Sequence, residues 1–125
     1  MAGQTMDFRP QILNLLLYAG DGFNLRLVCK DTAGAPIDIT GVVTAQVRLD
    51  RVHPTDQPLA SFTVSLVDAY QGAIGLTLTG AQTLSLLGAG EEKFTGVWDV
   101  QWTPANMLTR TLVQGVVECV ADVTR

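Results

Sequence analysis

The sequence predicts an all-β protein, a β-sandwich of about seven short strands with one short helix. Apolar and polar residues alternate with a period of two through most of the chain, as they do in strands with one buried face. Turn-forming residues separate these runs at intervals of roughly 8–12 residues, a spacing typical of sandwiches. Hydrophobic residues make up 47% of the 125 residues and charged residues 16%. This composition provides one hydrophobic core and excludes an intrinsically disordered chain.

The first strand candidate is the apolar segment 12–18, which Asn14 interrupts. It is far shorter than the roughly 20 apolar residues that a membrane-spanning helix needs. Gly20-Asp21-Gly22 follows it. This triplet lies between two strand-like segments, and no helix follows whose N-terminus could hold an anion. We therefore interpret it as a turn and not as a ligand-binding loop.

The second strand, 23–30, shows the clearest alternation. Its apolar face carries Phe23, Leu25, Leu27 and Cys29, and its polar face carries Asn24, Arg26 and Lys30. Segment 31–36 then supplies turn residues, because Gly34 tolerates a positive φ and Pro36 fixes its own φ.

Five further runs predict the remaining strands. Their apolar faces are Val43, Ala45, Val47 and Leu49; Ala60, Phe62, Val64 and Leu66; Ile74, Leu76 and Leu78; Trp98, Val100 and Trp102; and, in a long last strand from about 108 to 123, Val113, Val117, Cys119 and Ala121. We expect these faces to meet in the core between two sheets.

One segment follows a helical pattern instead. Thr79 and Gln82 have the spacing of a capping box, and Leu84 and Leu87 follow at helical spacing. We predict a short helix over residues 80–87, closed by Gly88-Ala89-Gly90.

Charge and composition narrow the function classes. The formal net charge is −4, and Lys and Arg are scattered singly, so nucleic-acid binding is not expected. The N-terminus has no cationic region before an apolar run, which argues against a secretory signal. We expect a soluble protein that is made in the cytoplasm.

No residue pattern indicates catalysis, a cofactor or a metal, so we predict no catalytic, cofactor-binding or metal-binding residue. Calcium bound by Asp21, Asp31 and Asp38 is the one metal alternative, although they do not match an EF-hand loop. His53 alone with two distant cysteines is too little for zinc.

The remaining candidates for catalysis or dinucleotide binding are weaker still. None of the three serines, Ser61, Ser65 and Ser85, lies on a predicted nucleophile turn. Gly88-Ala89-Gly90 lacks the third glycine of a dinucleotide fingerprint and precedes two glutamates.

The cysteines and tryptophans fit a core. Cys29 and Cys119 fall on apolar faces, and we expect free buried thiols rather than a disulfide. Trp98 and Trp102 share a face with Val100, which favours core packing. The alternative is that one tryptophan lies at a partner interface, where this residue is enriched.

The chain resembles the N-terminal immunoglobulin-like domain of phage baseplate upper proteins and small standalone phage proteins of that type. The matching positions are Gly20, Asp21, Lys30, Asp31, Gly34, Pro36, Ile37, Asp38, Thr40, Gly41, Gln46, Val47 and Arg48. The resemblance continues through segments 72–86, 96–102 and 111–125. It implies an immunoglobulin-like antiparallel β-sandwich with no catalytic residues.

The resemblance also implies a role as a structural protein of a tailed-phage virion. Baseplate upper proteins continue into long C-terminal parts, whereas this sequence ends at Arg125, so we expect an accessory subunit of the tail or baseplate. The alternatives are a capsid decoration protein and a carbohydrate- or calcium-binding surface module. The last predicts an exposed aromatic residue among Trp98, Trp102 and Tyr70.

The expected organisation is an N-terminal arm, Met1–Pro10, that docks on a neighbour, followed by one domain over residues 11–125. The expected partners are other virion proteins and further copies of the chain, without nucleic acid or membrane. We also expect Gly41→Val and Trp98→Ala to destabilise the domain.

Overall fold

The computed structural model describes residues 10–49, 58–87, 91–105 and 108–121. The strands in chain order are β1 Gln11–Ile12, β2 Leu15–Tyr18, β3 Phe23–Val28, β4 Val42–Arg48, β5 Ala60–Ser61, β6 Thr63–Asp68, β7 Ala73–Leu78, β8 Lys93–Thr103 and β9 Arg110–Val120. A 3-10 turn occupies Ala69–Gln71, and the helix α1 spans Gly80–Ser85. No helix formed by the described residues has the length and apolar character to cross a membrane.

The strands form two sheets, and the predicted all-β sandwich is confirmed. The larger sheet has the order β1-β9-β8-β4-β5, with β2 continuing beside β9, and the smaller sheet has the order β3-β7-β6. Among the described strands, all pairs are antiparallel except that β1 and β2 run parallel to β9. The pairing is therefore not wholly antiparallel, because the first strand segment joins the sheet beside the last strand rather than beside its sequence neighbour.

The predicted strand over 60–66 is divided between the two sheets. β5 pairs with β4 in the larger sheet, whereas β6 pairs with β7 in the smaller sheet. Phe62 lies at the crossing point, where its amide donates to the carbonyl of Ala45 at 2.8 Å. Its ring lies 6.2 Å from that of Phe23 and 5.8 Å from that of Trp98. Burial of this ring between the sheets is what holds the crossing in place.

The core contains most of the predicted inward faces. Its fully buried members include Leu17, Cys29, Ile39, Val47, Ile74, Leu76, Leu78, Trp98, Val100, Val113, Val117 and Cys119. Leu49 and Leu66 were predicted to be inside and are exposed. Leu49 follows the end of β4, and Leu66 lies on the open strand β6 next to a shift in register.

The last strand contains an irregularity that alternation did not reveal. Val100 on β8 pairs with Val113, but the next residue, Gln101, pairs with Thr111. Leu112 is therefore the extra residue of a β-bulge, and both Leu112 and Val113 are buried. The strand ends at Val120, and residues 122 and 123 of the predicted strand lie outside the described residues.

The predicted helix begins where expected and buries a different face. The Thr79 hydroxyl accepts from the Gln82 amide at 3.1 Å, and the Gln82 side chain accepts from the Thr79 amide at 2.8 Å, which completes the capping box. Thr83 and Leu86 are buried, whereas Leu84 is exposed. Residues 88–90, predicted to close the helix, lie outside the described residues.

Gly41→Val is expected to lower the free energy of unfolding by about 2–3 kcal/mol. Gly41 has a φ of +138°, which L side chains rarely adopt. A Cβ atom at this position would also lie 2.6 Å from the Thr103 carbonyl oxygen. Urea denaturation of the purified variant measures the loss. An unchanged midpoint would contradict this backbone geometry.

Candidate assembly surfaces

The Gly20-Asp21 turn is bound to the helix rather than open to a ligand. The Asp21 amide donates to the Tyr18 carbonyl at 3.0 Å and closes the turn, and Gly20 has a φ of +88°. The buried Thr83 hydroxyl accepts from the Gly20 amide at 3.0 Å and can donate to the Asp21 carbonyl at 2.9 Å or to the Gly80 carbonyl at 3.0 Å. The start of the helix also packs on this turn, since a Cβ on Gly80 would be 2.4 Å from the Gly20 carbonyl oxygen. The interpretation of this triplet as a turn is confirmed.

Thr83→Val is expected to destabilise the protein by about 1–3 kcal/mol, because it leaves the part-buried Gly20 amide without its acceptor. Thr83→Ser keeps the hydroxyl and is expected to retain most of the stability. Chemical denaturation of the two variants side by side measures the difference. A Thr83→Val protein as stable as Thr83→Ser would contradict this role of the hydroxyl.

Two aspartates of the calcium alternative, Asp31 and Asp38, act as local caps. The Asp31 carboxylate accepts from the amides of Ala33 and Ala35 at 2.9 and 3.0 Å. The Asp38 carboxylate accepts from the Thr40 hydroxyl at 2.6 Å and from the Thr40 amide at 3.0 Å. These two bonds, the hydroxyl first, lower the pKa of Asp38. Among the residues that the structure describes, no cluster of three His, Cys, Asp or Glu side chains could hold a metal ion.

The three serines do not come together. Ser61 and Ser65 are exposed on β5 and β6, and the Ser85 hydroxyl donates to the Gln82 carbonyl at 2.7 Å within the helix. His53 and segment 88–90 lie outside the described residues.

Both cysteines are free and buried. The Cys119 thiol donates to the Thr83 carbonyl at 3.4 Å. Burial raises the pKa of the Cys29 thiol from its ordinary 9.0 to about 11, and it also raises the pKa of Cys119. Each thiol therefore stays protonated and poorly nucleophilic near neutral pH.

The raised pKa of Cys29 predicts a loss of stability in alkali. In the unfolded chain the thiol ionises near pH 9, whereas in the folded chain it holds its proton up to about pH 11. The stabilisation is complete below pH 9 and is lost as the pH rises towards 11, by about 2 kcal/mol in total. Denaturation at a series of pH values, compared with Cys29→Ala, isolates this contribution. A parallel pH dependence in the two proteins would refute it.

Both tryptophans use their indole nitrogens inside the fold. The Trp98 Nε1 donates to the Leu13 carbonyl at 2.7 Å, and the Trp102 Nε1 donates to the Thr40 carbonyl at 3.1 Å. Both rings are buried. Core packing is confirmed, and the alternative that one of them lies on a partner surface is wrong. Of the three aromatic residues named for a sugar-binding module, only Tyr70 is exposed.

The bond from Trp98 depends on a break between β1 and β2. The Leu13 carbonyl turns out of the parallel ladder towards the indole, and the side chain of Asn14 accepts from the Val116 amide at 2.9 Å in its place. Gly115 lies opposite Trp98 on β9. A Cβ on Gly115 would be 2.0 Å from the Leu13 carbonyl oxygen. Leu13, Asn14, Trp98 and Gly115 therefore act together to attach the first strand.

The outer face of the larger sheet has a shallow polar cavity of about 260 Å³. Its polar lining residues are Gln46, Arg48, Asp99, Gln101, Thr111 and Gln114. Within it, the Arg48 guanidinium donates to the Gln46 side chain at 2.6 Å. Trp98 also borders the cavity but is 1% exposed. It therefore presents no ring face on which a sugar could stack.

A patch of apolar side chains lies at one edge of the larger sheet. We call this the N-terminal edge patch: Ile12, Leu16, Tyr18 and Val116, which are between 41% and 68% exposed. Asn14 and Glu118 border it. Apolar surface of this kind is typical of sites of protein association. The sequence of segment 15–18 does not show which of its side chains are exposed. Their exposure depends on the pairing of β2 with β9.

No protein-family model matches the sequence, and no curated protein matches it. Among solved structures, the chain is similar to the N-terminal domain of phage TP901-1 ORF48, with 10% sequence identity and a TM-score of 0.44. The match covers 94% of this chain and 93% of that chain. A likeness at this level brings no activity and no partner to this protein.

Proposed function

We propose that this chain is a non-enzymatic structural subunit of a tailed-phage virion, an immunoglobulin-like accessory protein of the tail or baseplate. The virion context comes from the sequence resemblance over segment 20–48 and the later strands. The proposed partners are other virion structural proteins and further copies of the chain.

The residues that carry the resemblance shape the backbone. Asp31 caps the turn after β3, Asp38 caps the segment before β4, and Gly41 has the positive φ that allows the chain to enter β4 beside Thr103. Such residues determine the conformation of the backbone and carry no chemical reaction. A role in maintaining the backbone is what a shared structural scaffold requires, and it supports the proposed role as a structural subunit.

The single observation that carries the proposal is the N-terminal edge patch. Leu16 and Tyr18 expose about half of their surface beside an open strand, while Asp31, Asp38, Trp98 and Trp102 hold the fold together. The polar groups of these four residues therefore form hydrogen bonds within the fold, whereas the apolar side chains of the N-terminal edge patch are exposed to a neighbour. Subunits of symmetric assemblies bury surface of this kind.

Immunogold electron microscopy of intact particles tests the proposal, with an antibody raised against this chain. Label on the tail tip or baseplate is the expected result. Label scattered over the head would instead make the chain a capsid decoration protein, and particles lacking it should then lose stability. Particles that carry no label, although the antibody recognises the chain in the same lysate, would contradict a virion role. Particles assembled without the chain provide the control for specificity.

A further inference from the structure

We infer that the open edge of β2 pairs antiparallel with β2 of a second copy of this chain, about a two-fold axis through Leu16. The inference deepens the proposed function and rests on it for its role in a virion. The pairing itself is a property of the isolated chain.

The direction of the backbone groups on β2 shows what the edge can bind. The Leu13 and Ala19 amides donate to the Gln114 and Val120 carbonyls of β9, so odd-numbered residues of this segment face β9. Hydrogen-bonding groups of successive strand residues point to opposite sides. Leu16 therefore presents both its amide and its carbonyl on the other side, where no described strand pairs with β2. In an antiparallel pair, the residue opposite Leu16 can form hydrogen bonds with both of these groups.

Segment 14–18 is self-complementary when it pairs antiparallel with the same segment of a second copy. With the axis at Leu16, Leu16 lies opposite Leu16 of the second copy, and Leu15 lies opposite Leu17. Leu15 and Leu17 are buried, so the pairing joins the two cores, whereas Leu16 is exposed on the outer face. Segment 11–20 has no charged residue, so no like charges meet across the edge.

A groove beside the edge fits an aromatic side chain from the copy. It has a volume of about 390 Å³ and is lined by Asn14, Leu15, Leu16, Val116 and Glu118. In the same register Tyr18 of the copy lies opposite Asn14, on the outer face of the sheet. The symmetry then places each Tyr18 over the groove of the other copy. This reciprocity favours a second copy over an unrelated strand.

Among the described strands, the other edges without a partner carry features that oppose pairing. β5 has two residues, β6 has a shift in register between Leu66 and Asp68, and β3 exposes Arg26. Very short strands, bulges and charged side chains are the means by which proteins block edge association. β2 has no charge and no bulge along Leu15–Tyr18.

Sedimentation equilibrium of the full chain over a concentration series tests the inference. The wild-type chain is expected to form a dimer of two 13.4 kDa copies. Leu16→Glu places two carboxylates at the axis and is expected to raise the dissociation constant about a hundredfold. Leu84→Glu is the matched control, because Leu84 is 55% exposed and Leu16 is 51% exposed. Tyr18→Ala is expected to weaken the dimer, and Tyr70→Ala is expected to leave it unchanged.

Two measurements separate pairing from general damage. Mixing Leu16→Glu with Leu16→Lys is expected to restore a dimer, because opposite charges then meet at the axis. Hydrogen exchange at the amide of residue 16 is expected to be slow in the wild-type dimer and fast in the Leu16→Glu variant. Circular dichroism of each variant should match the wild type.

A wild-type chain that stays monomeric over the whole series overturns the inference. So does an oligomer that Leu16→Glu leaves intact. A dimer broken by Leu16→Glu, together with particles that carry no immunogold label, would retain the pairing and reject the virion role. Immunogold label on the tail together with a monomeric chain would retain the virion role and reject the pairing.

Discussion

Gly115→Ala is expected to lower the free energy of unfolding by about 3 kcal/mol, although it adds only one methyl group. The new Cβ would lie 2.0 Å from the Leu13 carbonyl oxygen and 2.7 Å from the Leu13 carbonyl carbon. These are backbone atoms, so they cannot rotate away as a side chain would. The segment between β1 and β2 would have to move away from β9.

The movement has a defined consequence. The Leu13 carbonyl is the acceptor for the Trp98 indole at 2.7 Å. Its displacement breaks that bond and leaves the donor of a fully buried ring without a partner, which costs about 1–3 kcal/mol. The hydrogen bond that the Asn14 side chain accepts from the Val116 amide is strained at the same time.

Urea denaturation with tryptophan fluorescence measures the effect. Gly75→Ala is the control, because Gly75 is also a buried strand glycine and its Cβ would meet nothing closer than 3.8 Å. That variant is expected to be neutral or slightly stabilising. If Gly115→Ala is as stable as Gly75→Ala, the Leu13 carbonyl does not lie over Gly115.

Trp98→Ala is expected to destabilise the protein by about 3–5 kcal/mol, the typical cost of removing a large buried ring. Trp98 is the largest fully buried side chain and contacts the Phe62 ring between the sheets. The substitution leaves a cavity at the crossing from β5 to β6. It also leaves the Leu13 carbonyl without its donor.

Trp98→Phe separates these two contributions. It retains most of the ring volume and loses the indole bond, so it is expected to cost less than Trp98→Ala. Because Trp98→Phe and Gly115→Ala disrupt the same bond, their combined effect should be smaller than the sum. Calorimetric melting of the single and double variants measures this coupling. Simple additivity would show that the bond contributes little.

Much of the fold could be predicted from neighbouring residues in the sequence. The alternation from Phe23 to Cys29 gave the buried face of β3, and the Thr79-Gln82 spacing gave the start of α1. The turn roles of Gly20 and Asp31 were likewise correct. In each case the interacting groups are separated by few residues, so local propensity decides the conformation.

The candidate assembly surface was harder to predict. The apolar run 12–18 gave no sign of which residues would be exposed, because Leu15, Leu16 and Leu17 are chemically identical. Pairing with β9 decides that Leu16 points outward. The same holds on the helix, where packing against the turn at Gly20 selected Thr83 and not Leu84 as the buried residue.

Groups only a few residues apart set the strand periodicity, the turns and the helix cap, so these features follow from the amino-acid order alone. Long-range packing sets the parallel pairing of β2 with β9, the crossing at Phe62 and the bond from Trp98 to Leu13. That bond joins residues 85 positions apart. Its geometry depends on how two strands meet over one glycine, and strand periodicity contains no information about which strands become neighbours.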